Sequence, residues 1–129
     1  MNLTSLTALL LVGGGGFLGA IARHLVNVVL ARRLGNAWPW ATFAINLSGC
    51  FAIAFFLTLT SERYVVHERW RLLFPVGFVG AYTTFSTFEW ETLQLVEEGA
   101  WLRALSYVLA STVAGFAAVW LAASIARRF

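Results

Sequence analysis

Charge is what this chain has least of. Charged residues make up 12% of its 129 positions, against 60% that are hydrophobic. None precedes Arg23, and none occurs from Leu34 to Ser61, from Leu72 to Phe88 or from Ala104 to Ala126. That balance argues against a soluble fold. Lysine is absent, all nine basic residues being arginine. They lie at the ends of apolar runs or in short loops, so the net charge of +3 is read as lipid and topology chemistry rather than nucleic-acid binding. Cys50 is the only cysteine, which rules out an intrachain disulfide or a cysteine cluster. His24 and His67 have no neighbouring cluster of acids or cysteines and read as interfacial residues, not metal ligands. No carboxylate pair lies at hydrolase spacing, and no serine or threonine has a base beside it in sequence, so no enzyme is indicated.

What remains is four apolar runs. A bilayer-spanning helix needs about 20 mainly apolar residues. The runs predict an all-α membrane protein with four transmembrane helices, Leu3–Ala31, Pro39–Thr60, Trp70–Val96 and Leu102–Ala126, forming one domain over residues 1–129. The third reaches full length only if the acids after Phe88 lie in an aqueous mouth. The first has no positive flank before it and is expected to be retained rather than cleaved as a signal. With four spans, one side holds Arg63, Arg69, Arg71, Arg127 and Arg128. The other holds Arg32, Arg33 and Arg103, with Arg23 about two turns inside. So weak a bias allows insertion both ways round. Four short helices enclose little interior, and mixed orientation permits an antiparallel homodimer. Trp38-Pro39-Trp40 marks a headgroup interface and the entry to the second helix.

The third run is the unusual one. Pro75–Glu91 reads PVGFVGAYTTFSTFEWE and crowds glycines and hydroxyls together. Such residues compete with the backbone's own hydrogen bonds and favour caps and turns. A helix is expected to end near Gly80–Thr83 and another to begin near Ser86, with Ser86-Thr87-Phe88-Glu89 as a capping box. Bare backbone groups at membrane depth cost several kcal/mol each in lipid, so the break must face protein, ions or water. Carbonyls at one half-helix end suit a small cation, and N–H groups at the other suit an anion. Phe85 and Phe88 share a face, and their ring edges carry partial positive charge; ordinary packing is the alternative.

Other polar positions admit two readings. Thr42 and Asn46 share a face of the second helix, as interhelical glue or as pore lining. Tyr107, Ser111 and Gly115 follow at steps of four in the fourth, with Ser106 and Thr112 beside them, as a polar track or as small-residue packing. Glu89 and Glu91 either cap the second half-helix or sit in a water-filled mouth. Arg23 is either a snorkelling helix-end residue or a vestibule charge facing protein. Gly14-x-Gly16-x-x-Gly19 resembles a dinucleotide fingerprint, but it lacks the strand before it and the acid after it. Gly15-x-x-x-Gly19 is better read as close helix packing.

Together these stretches resemble the Fluc (CrcB) family of fluoride channels over nearly the whole chain. The residues that carry the likeness are Gly19-Ala20-x-x-Arg23, Asn46-Leu47-x-Gly49, Gly77-Phe78-x-Gly80 and Thr83-Thr84-Phe85-Ser86-Thr87-Phe88. The resemblance implies a dual-topology antiparallel homodimer in the cell (inner) membrane, passing fluoride outward through two pores. It implies that Phe85 and Phe88 line the fluoride path with Asn46 as a donor, and that Tyr107, Ser111 and Thr42 are polar-track positions. It implies a structural sodium ion on the backbone carbonyls of Gly80 and Thr83, and it matches Glu91 to an acid found after the motif. Ala81, His24 and Gly115 depart from the family pattern. The rivals are a small multidrug exporter, which needs a membrane-embedded acid, and a non-transporting assembly protein.

Overall fold

A computed structural model describes residues 5–129; the expected start of the first helix at Leu3 lies outside them. Every regular element among the described residues is helical. Helix α1 spans Leu6–Leu34, its first turn capped by the Ser5 hydroxyl, which accepts from the Ala8 N–H at 3.2 Å. Arg32 and Arg33 occupy its last turn, where cations suit the dipole, and Gly35 closes it with φ 71°. Helix α2 covers Trp40–Thr58 and continues as one wide π turn to Arg63. Helix α6 covers Trp101–Ala126. Among the described residues three helices are long and apolar enough to cross a membrane: Leu6–Leu34, Trp40–Arg63 and Trp101–Ala126.

The segment expected as a fourth span is not one helix. It opens earlier than expected, as α3 over Glu68–Arg71, and widens into a π-helix over Leu72–Val79. It then tightens into α4, Gly80–Tyr82, breaks at Thr83–Thr84, and resumes as α5, Phe85–Glu97. The wide stretch contains Pro75, whose ring would crowd the carbonyl of Arg71 in a regular helix. Gly99, with φ 74°, turns the chain from α5 into α6.

The packing follows the glycines. A Cβ on Gly15 would overlap the Leu73 carbonyl oxygen, and one on Gly19 would overlap that of Phe78. Both pack α1 onto the π stretch, backbone against backbone, as the small-residue spacing predicts. Helices α2 and α6 run side by side in the same direction. At one end Arg103 donates to the Ala37 carbonyl at 2.6 Å and the Trp38 indole donates to Ser106 at 3.1 Å. At the other, Arg63 donates to the Arg127 carbonyl and Arg127 pairs with Glu62 at 3.0 Å. The large apolar side chains of α1 and α6 point outward: Leu9, Phe17 and Leu25 on one, Leu109, Val113 and Phe116 on the other.

Candidate functional site

The break is built against α2. Asn46 reaches it with both ends of its amide: Nδ2 donates to the Thr84 carbonyl at 3.0 Å, and the Thr84 N–H donates to Oδ1 at 2.8 Å. One turn away a Cβ on Gly49 would overlap the methyl group of Thr83, so only glycine lets Thr83 lie against α2. Ser48 completes the clamp. Its hydroxyl lies 2.7 Å from the Ala44 carbonyl and 2.9 Å from the Tyr82 hydroxyl. A serine has one proton, and the Ala44 carbonyl takes it, so Tyr82 is the donor to Ser48.

The cap of the second half-helix differs from the sequence expectation. It is Thr84, not Ser86. The Thr84 hydroxyl accepts the Thr87 N–H at 3.3 Å and donates to the Thr87 hydroxyl at 3.0 Å. Ser86 and Glu89 are exposed, and no capping box forms between them. The shift has a physical cause: Asn46 holds the Thr84 backbone extended, with ψ 114°, so the helix can start only after it.

The same bonds free two carbonyls. In an unbroken helix the Thr84 N–H would close on Gly80 and the Thr87 N–H on Thr83. Here one donates to Asn46 and the other to the Thr84 hydroxyl. The Gly80 and Thr83 carbonyls thus lose their helical donors, and Gly80 is exposed. Main-chain oxygens of this kind suit a hard cation. No His, Cys, Asp or Glu cluster that could hold a metal occurs among the described residues.

On the far side of the break, Asn46, Gly49, Cys50, Phe85, Phe88 and Ser111 border one open groove of about 340 Å³. The Phe85 and Phe88 ring centroids are 5.8 Å apart. The two rings are not equivalent: Phe85 is 73% exposed, whereas Phe88 is buried and packs on Tyr107 at 4.9 Å. Ser111 offers the one buried side-chain polar atom among the described residues that has no hydrogen-bond partner. Gly115 is buried, and the Cys50 sulfur lies 3.7 Å from where its Cβ would stand.

Thr42 and Tyr107 do not face that groove. Both hydroxyls donate to the Glu91 carboxylate, Thr42 to Oε1 at 2.9 Å and Tyr107 to Oε2 at 2.7 Å. Glu91 is therefore no helix cap. It is held between α2, α5 and α6 and borders two polar pockets, one of about 290 Å³ shared with Arg23, His24 and Asn27, the other of about 320 Å³ shared with Trp38 and Gln94. Arg23 borders the first of these. Its two carboxylate oxygens each find a hydroxyl donor, which offsets the cost of drawing a carboxylate in among the helices. Sequence reasoning did not find the roles of Thr84, Ser48, Tyr82 and Trp38. A hydroxyl and an amide facing a predicted break were the available signal.

A helical membrane protein whose discontinuous segment gathers donors, ring edges and freed carbonyls has the build of a conduit for a small ion. Residues 10–123 match the family described as CrcB-like protein, Camphor Resistance (CrcB), and the chain belongs to that family. It is 48% identical over 119 residues to the fluoride-specific ion channel FluC of Solibacter usitatus, covering 92% of this chain and 98% of that one. It is 46% identical over 114 residues to the protein of the same name from Acidobacterium capsulatum, covering 88% and 91%. With that of Chloroflexus aurantiacus it shares 40% over 121 residues, covering 94% and 96%.

Proposed function

We propose that the protein is a passive, fluoride-selective channel that lets fluoride leave the cell and so prevents its toxicity. One conjunction carries the reading. In a chain of this family, Phe85, Phe88, Asn46 and the partnerless Ser111 hydroxyl border a single groove at the start of a half-helix. Fluoride is small and tightly hydrated, so leaving water must be offset by donors. A fixed arginine in the groove would hold it too firmly, and conduction needs contacts that are favourable but escapable. A hydroxyl, an amide, ring edges and the half-helix N-terminus supply contacts of that strength. Arg23 stands in the neighbouring pocket, where a positive charge gathers anions.

The protein crosses the membrane four times in this reading. Because α2 and α6 run the same way, residues 64–100 must bring the chain back across, and the broken segment is that crossing. Phe85 lies exposed on an open groove, and a second copy inserted the opposite way round supplies the missing wall. The weak arginine asymmetry permits that antiparallel homodimer. The residues at the break also fit a sodium ion. The Gly80 and Thr83 carbonyls of each copy would hold it, and bound there it would supply a fixed positive charge that stiffens the break.

Fluoride efflux from proteoliposomes, with chloride as control, tests the function. Efflux of fluoride but not chloride is expected once charge compensation is provided, with no imposed pH gradient. Efflux that requires such a gradient would instead favour a proton-coupled exporter with Glu91 as its acid.

A further inference from the structure

Trp38 belongs, by sequence, to the headgroup interface. Its side chain also packs against the protein. The indole packs edge-on against the Tyr107 ring, with centroids 5.1 Å apart and planes at 76°. The ring's other aromatic contact is Phe88, and Tyr107 is left with 0% exposure. The wedge is itself pinned. The Trp38 indole N–H donates to the Ser106 oxygen, whose own proton goes to the Arg103 carbonyl at 2.8 Å. Arg103 in turn ties down the adjacent Ala37 carbonyl at 2.6 Å. The loop between α1 and α2 is thereby stapled to the first turns of α6, with one flat ring driven in behind Tyr107.

We infer that Trp38 is a positioning residue for the anion path: it fixes the Tyr107 ring so that its hydroxyl stays on Glu91. The inference rests on the fluoride-channel reading above and adds to it a residue outside the groove. A fully buried phenol ring held against both Trp38 and Phe88 has no space to swing. Without the indole, space opens on one side, toward the pocket that Trp38 and Glu91 both border. Tyr107 can then turn away from Glu91, leaving Phe88 without its backing ring. The effect reaches the path through two contacts that already exist, Tyr107 on Glu91 and Tyr107 on Phe88. An interfacial anchor would show no such dependence on Tyr107.

The test is a double-mutant cycle on fluoride efflux from proteoliposomes, with assembly followed by size-exclusion chromatography. Trp38→Ala should lower flux about three- to tenfold, the scale of one aromatic pair contact, with assembly unchanged. Trp38→Phe, which keeps a ring in place, should restore most of it. In a Tyr107→Phe background, where no hydroxyl remains to be positioned and only the ring's contact with Phe88 is left to lose, Trp38→Ala should lower flux less than it does in the native protein. Trp38→Leu keeps apolar bulk without a flat ring and carries the same cycle if the alanine variant does not assemble. Normal flux in the assembled Trp38 variant, or losses that multiply fully in the double variant, would overturn the inference. Absence of fluoride flux in the unmodified protein would instead sink the channel reading itself.

Discussion

Two clusters of hydroxyls flank the second half-helix, and they are in opposite states. In the first, Thr42 and Tyr107 have given their protons to Glu91. In the second, the Ser111 hydroxyl is buried beside Phe85 and Phe88 and has given its proton to no one. The resemblance to the fluoride-channel family treats all three as one track. The geometry separates them by what each has left to offer. A donor already on a carboxylate must be released before it can meet an anion, and hydrogen bonds to charged groups are worth about 1.5–3 kcal/mol. A partnerless donor is already poised, and leaving it unmet costs about 1–3 kcal/mol of desolvation. If an ion passes through the groove, the free hydroxyl is where it would gain most, while Glu91 and its two donors form a fixed frame beside two further pockets.

The largest effect should come from the clamp on which both clusters depend. In Asn46→Asp the Oδ1 oxygen can still accept the Thr84 N–H, but the second oxygen now faces the Thr84 carbonyl. One bond becomes a repulsion, and a charge is added beside the groove. Fluoride efflux should fall to background, and wild-type-like efflux would show that the break does not need Asn46. Next come the rings. Phe85 is largely exposed and Phe88 buried, so the same substitution should separate path from packing. Phe85→Ile should abolish most flux and cost less stability than the same change at Phe88, because within the chain the Phe85 ring packs far less. Phe88→Ile should lose flux as well, with about 1–3 kcal/mol of stability, as shape changes in packed cores do. Equal stability losses in the two variants would dissolve that distinction. Glu91→Gln should rank below these. A glutamine has one acceptor oxygen where the carboxylate has two, so either Thr42 or Tyr107 then faces an amide donor. A severalfold loss of flux is expected, and unaltered flux would remove Glu91 from the frame.

Much of this was legible in the residues. The break itself follows from Gly80 to Thr87, because hydroxyls and glycines so dense inside an apolar run have no other purpose that the backbone tolerates. The packing of Gly15 and Gly19 follows from their spacing. The cap was misplaced by two residues because the capping rule looks only along the chain. It cannot see Asn46, 38 residues away, holding Thr84 extended. Glu91 was left between a helix cap and a water-filled mouth for a related reason: only the fold brings Thr42 and Tyr107 to its two oxygens. Trp38 was assigned by residue type, since tryptophans favour interfaces, and that preference says nothing about which ring it will lean on.

The smallest and sharpest test compares one hydroxyl from each cluster. Tyr107→Phe removes the donor to Glu91 Oε2 and leaves that oxygen without its partner. It should destabilise the assembled protein by about 1.5–3 kcal/mol, the range for a hydrogen bond to a charged group, and reduce flux by way of the frame. Ser111→Ala removes a hydroxyl that has no protein partner to lose. No bond is broken, and a polar atom that was costing desolvation is gone, so thermal stability should hold or rise slightly. If that hydroxyl meets fluoride in transit, flux should nevertheless fall by about three- to tenfold, the equivalent of one ordinary hydrogen bond. The two variants would then part company, one losing stability and flux together and the other losing flux alone. A Ser111→Ala protein that conducts normally would mean that the free hydroxyl is only a packing residue. The two clusters would in that case differ in their bonding but not in what they do.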